Sequence, residues 1–141
     1  MLKSILLAAL VYAINIGLLS AGMTWFAAHM RRSGLAQRQA PGSLRAMRLL
    51  YVVMLALLAA SLLQAAVWAV VFWSYEGFST FETAYYFSLV NFATLGYGDM
   101  VLNGDLRLLG PLEAINGSLM LGLFASILYT VFARLSEDQH S

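Results

Sequence analysis

Three long apolar runs and one short one dominate the pattern of the chain. A helix rises about 1.5 Å per residue, so crossing a hydrocarbon core of roughly 30 Å takes about 20 apolar residues. Three runs meet that length: about Ser4 to Met30, about Leu49 to Trp73, and about Pro111 to Ala133, with Glu113 at the start of the last. Between the second and third lies Phe78 to Val90, apolar and aromatic but too short to span. The pattern predicts an all-α integral membrane protein with three transmembrane helices and one re-entrant half-helix.

Polar positions orient these runs. Arg31, Arg32, Arg38, Arg45 and Arg48 lie between the first two runs, with no acidic residue among them. Short basic loops stay in the cytoplasm. The N-terminus is therefore expected outside, in a plasma (inner) membrane, with the C-terminus cytoplasmic. Glu76, Glu82, Asp99, Asp105 and Glu113 then face outward, and Arg134 follows the third run inside. Trp68, Phe72, Trp73 and Tyr75 fit an outer aromatic belt, and Trp25 and Phe26 an inner one. A cleaved signal peptide is the rival reading of the first run, with Lys3 as its basic start and "SAG" near a cleavage site. It would export the arginine loop or invert everything downstream, so an uncleaved helix fits the charges better. Pro41 and Gly42 mark the linker-like stretch.

Composition agrees with this picture. The chain has 141 residues, enough for one domain, and is 61% hydrophobic and 11% charged. A soluble domain carries about 25% charged residues, so the surface is suited to lipid. The net charge is +1, and no basic cluster interleaves with aromatics, which argues against a nucleic-acid partner. The absence of cysteine excludes disulfides and thiolate metal sites. His29 and His140 are far apart in sequence, so an imidazole metal site is not expected. No His/Ser/Asp constellation or paired intramembrane carboxylate indicates an enzyme.

The chemistry concentrates in "NFATLGYGDM", residues 91–100. Irregular backbone at membrane depth costs several kcal/mol per unpaired peptide group, so it persists only inside protein or along a cavity. Successive carbonyls can all face one axis only if the backbone alternates between right-handed and left-handed dihedrals. Gly96 and Gly98 can take positive φ without a Cβ penalty. Leu95 and Tyr97 then point their side chains away from the axis. With the Thr94 hydroxyl added, the resulting column of oxygens can replace the water shell of a monovalent cation. Just upstream, "STFE" reads as a capping box, with Ser79 as N-cap and Glu82 three residues on.

"TLGYGD" resembles the selectivity-filter signature of potassium channels, Thr-x-Gly-Tyr-Gly-Asp. The resemblance covers roughly residues 49–134. It takes in a span, the half-span "FSTFETAYYFSLV", the filter, and "LRLLGPLEAINGSLMLGLF", and it is to the pore module of small bacterial two-helix potassium channels. The resemblance implies potassium ions held at Thr94, Leu95, Gly96 and Tyr97, with Gly98 completing the filter and no organic cofactor. A single chain supplies one filter strand, so a homotetrameric pore in the lipid bilayer is implied. Residues 1–48 would form an added helix and basic loop, and residues 49–141 the pore domain.

Several positions depart from the family pattern. Ala93 replaces a second threonine, and Leu102 a proline. Phe87 stands where relatives often carry a tryptophan that bonds the filter tyrosine. Val90 stands where some hold a buried glutamate. Asp99 would therefore be supported differently, with Tyr86 in reach of it, and slow inactivation would change with it. Gly117 matches the family's hinge glycine; it reads either as a gating hinge or as a small residue for close packing. Asn116 faces either the filter base or a neighbouring helix. Phe124, Leu128 and Val131 or Phe132 follow helical spacing and read either as an inner constriction or as a packing face. Glu113 could pair with Arg107 at the surface.

No span carries arginine at every third position, so no voltage sensor is expected. The short "LSEDQHS" after Arg134 leads to the expectation of no attached nucleotide- or calcium-binding domain. The first helix, with Asn15 in its middle, either packs outside the second span or docks an unknown regulatory subunit. The leading expectation is a potassium-selective channel. The alternatives are a non-selective cation channel on the same scaffold and a non-conducting accessory membrane subunit.

Overall fold

Each apolar run forms a helix. The computed structural model describes residues 2–32, 43–75, 78–104 and 107–137. Arg38, Pro41, Gly42, Glu76, Asp105 and His140 lie outside the described residues. Four helices follow in order: α1 Leu2–Arg32, α2 Ser43–Tyr75, α3 Phe81–Phe92 and α4 Leu109–Glu137. No strand occurs among the described residues. Within three of the helices, Leu2–His29, Met47–Tyr75 and Leu109–Ala133 are long and apolar enough to cross a membrane. The three long helices outrun the expected runs at both ends, whereas α3 starts at Phe81 rather than Phe78 and ends at Phe92. The 12-residue α3 is about 18 Å long, close to half a membrane.

Large apolar side chains remain exposed on all three long helices, among them Leu10, Leu58 and Leu123. Helices apolar on every face belong in lipid. Lipid tails are as apolar as leucine, so helix association there comes from close packing and interhelical hydrogen bonds. The core reflects this. Ala65, Trp68, Ala69 and Phe72 of α2 are completely buried, with Ala84 and Phe87 of α3 and Leu109, Met120 and Phe124 of α4 around them. The small Ala65 and Ala69 let α3 approach the α2 backbone. Ser88 and Tyr85 of α3 then reach the α2 carbonyls of Ala65 and Leu62, at 2.7 and 3.1 Å. The rings of Trp68, Phe72, Phe87 and Phe78 form a chain with centroids 4.9 to 5.8 Å apart.

α1 packs against both α2 and α4. It buries one stripe, Ser4, Ala8, Val11, Asn15 and Leu19, at the three- and four-residue spacing of a single helix face. Pro111 falls in the first turn of α4, where its missing N–H removes no helical hydrogen bond.

Candidate functional site

The site begins at the N-terminus of α3. Its cap is Thr80 (φ −137°, ψ 153°), whose hydroxyl accepts a bond from the Thr83 N–H at 3.2 Å. The two threonine hydroxyls also lie 2.9 Å apart. This corrects the expected capping box: Ser79 precedes the cap and Glu82 is the second helical residue. The helix starts one residue later because Thr80 offers the same hydroxyl chemistry one position on. Glu82 stays in the first turn, where its charge suits the positive end of the helix dipole.

At its C-terminus α3 runs directly into the TLGYG segment. The Thr94 N–H bonds the Asn91 carbonyl at 2.8 Å, and the Leu95 N–H bonds the Val90 carbonyl at 2.9 Å. This pair of backward bonds is a helix C-cap that needs a left-handed residue between helix and exit, usually glycine. Thr94 takes that conformation, with φ 59°. Gly96 (φ 55°) and Gly98 (φ 75°) repeat it, while Leu95 and Tyr97 do not. Left-handed backbone therefore falls on every second residue, the arrangement that turns successive carbonyls toward one side. The two glycines were legible in the sequence. The Thr94 conformation was not, because a β-branched residue rarely adopts it; the signal was its place two residues before Gly96.

Ala93 through Asp99 are exposed in the single chain, and Tyr97 keeps 65% of its surface accessible. The segment is braced at its Asp99 end. Tyr86 donates its phenol to Asp99 Oδ2 at 2.7 Å, and Asp99 Oδ1 accepts the Met100 N–H at 3.1 Å. The Asp99 bond holds the Tyr86 phenol pKa above its ordinary value, with partial burial and the Asp99 charge adding to it. Phe87, expected as a filter support, lies in the core between Phe72 and Phe78. Val90 is buried as well.

The α4 residues depart most from expectation. Glu113 is completely buried, and its Oε1 is in hydrogen-bond contact with Ser88 Oγ. It does not pair with Arg107, which is exposed. The acid lies one turn inside the helix on the face turned toward α3, so it cannot reach the surface. Gly117 meets α3 closely: a Cβ there would come within 2.0 Å of the Phe92 carbonyl oxygen. The packing reading of Gly117 thus has a geometric cause. Asn116 is buried beside it, with no hydrogen-bond partner among the described residues.

Of the inner-constriction candidates, Val131 is partly buried and falls on the same side of α4 as Phe124. Phe124 is 6% exposed and sits in the core, Leu128 is half-buried, and Phe132 is 57% exposed. Positions four apart drift by about 40° around a helix, so the run from Phe124 to Phe132 turns from core to surface within one chain.

Among the described residues no three His, Cys, Asp or Glu side chains gather at one place. His29 stacks on Trp25 at 5.6 Å. The family model described as "Ion channel" matches residues 50–134, more than half of the chain. No curated protein and no solved structure matches it. The matched region holds the second span, the half-membrane helix, the TLGYG segment and the third span, and the chain belongs to the ion-channel family.

Proposed function

We propose that this ion channel is potassium-selective and assembles from four identical chains. The observation that carries the reading is left-handed backbone at Thr94, Gly96 and Gly98 in an exposed segment launched by the α3 cap. Four such segments around one axis would present rings of carbonyls from Thr94, Leu95, Gly96 and Tyr97 to a dehydrated potassium ion. The C-terminal end of each α3 would add its partial negative charge at the base of the filter. Ions would pass by mutual displacement between adjacent sites. Tyr97, largely exposed in one chain, would pack against the next.

Residues 49–141 form the pore domain in this reading, and residues 1–48 an uncleaved helix with a cytoplasmic arginine loop. The stripe by which α1 packs on α2 and α4 supports its retention. The N-terminus would lie outside a plasma (inner) membrane and the C-terminus inside. Gly117 would serve first to seat α4 on α3, with any bending of α4 starting from that contact.

Potassium flux into proteoliposomes tests the proposal. Gly96→Ala places a Cβ on left-handed backbone, at about 1–2 kcal/mol per chain, and four chains multiply the strain. Flux through the wild type that is abolished in Gly96→Ala is the expected result. Equal flux in both would remove the filter from the account.

A further inference from the structure

Ser88 is the point where α2, α3 and α4 meet through hydrogen bonds. Its Oγ lies 2.7 Å from the Ala65 carbonyl oxygen and also contacts Glu113 Oε1. All three residues are completely buried. A serine hydroxyl has one proton to give, and a carbonyl oxygen has none. If Ser88 gives its proton to an ionised Glu113, two lone-pair oxygens face each other at the Ala65 contact. If Ser88 gives it to Ala65, the proton in the second contact must come from Glu113.

The rest of the site favours the second count. Glu113 Oε2 has no hydrogen-bond partner among the described residues. Arg107, the nearest basic residue along the chain, is exposed. A carboxylate with one bond and no counter-charge among the described residues, inside a membrane helix bundle, would be a nearly bare charge. A neutral acid needs only its O–H satisfied.

We propose that Glu113 carries a proton and is a positioning residue for the filter, its acid O–H donating to Ser88 Oγ while Ser88 donates to the Ala65 carbonyl. The relay ties α4 to α3 and α3 to α2 at one level. The C-terminal end of α3 meets Gly117 and launches Thr94, so holding Ser88 holds the start of the filter. The protonation stands by itself; its effect on conduction rests on the potassium-channel reading.

Infrared spectroscopy of the full chain in ester-free detergent at neutral pH tests the proton. The wild type should show the carbonyl stretch of a protonated carboxylic acid, shifted in heavy water and lost in Glu113→Gln. Identical spectra in that region would overturn the proposal. Bilayer recordings test the positioning. Glu113→Gln keeps a neutral N–H donor for Ser88 and should hold its steady current within about twofold of wild type, whereas Glu113→Leu should lower it by about tenfold, the scale of one buried hydrogen bond. If glutamine behaved as leucine does, the donor role would be wrong. A wild type that passes no current would count against the channel reading, and the infrared band would still decide the protonation.

Discussion

Thr94 carries the backbone cost of the site. A β-branched residue with φ 59° is strained by about 1–3 kcal/mol. The two backward bonds of the α3 cap hold it there. At the other end of the segment, the Tyr86 bond fixes Asp99. Tyr86→Phe removes that bond alone, since the ring stays. In bilayer recordings the macroscopic current should then decay several-fold faster. An unchanged decay would mean that Asp99 is held by other contacts. The same bond has a pH signature. The phenol is raised above its ordinary value of about 10, so it donates throughout the neutral range. The brace is fully present below the ordinary tyrosine range and is lost as pH rises through the raised value. Faster decay should therefore appear in the wild type only on the alkaline side, and Tyr86→Phe should lack the alkaline step.

At the scale of elements, the α3–α4 contact is the most sensitive. A methyl at position 117 would collide with the Phe92 carbonyl at 2.0 Å, and backbone cannot move aside as a side chain does. Overpacking of this kind costs about 1–3 kcal/mol or more. Gly117→Ala should lower the melting temperature of the purified protein, and an unchanged value would mean that α4 is not seated on Phe92. The elements themselves were legible in the sequence, since run length against membrane thickness decides between a span and a half-span. Contacts between them were not. Glu113 near a helix start reads as a surface acid, and only the approach of Ser88 shows it buried. Ser79 and Thr80 offer equal caps, so the choice falls to where α3 docks on α2. Phe124 and Phe132 share a spacing, but the 3.6-residue turn sends them to different faces.

For the whole molecule, the feature to explain is a segment from Ala93 to Asp99 that is backbone-rich, exposed and conformationally strained, set in a chain otherwise built for lipid. Inside a bilayer such backbone needs protein or an aqueous path around it. A four-chain assembly would supply both, closing the segments around an axis and covering Tyr97 with the neighbouring chain. We propose that the alternating backbone selects potassium. The most direct measurement is the reversal potential of purified wild-type protein in a planar bilayer, with potassium on one side and sodium on the other. A reversal displaced toward the potassium equilibrium potential is the predicted result. Current reversing near zero would contradict it and leave a pore that does not distinguish the two ions.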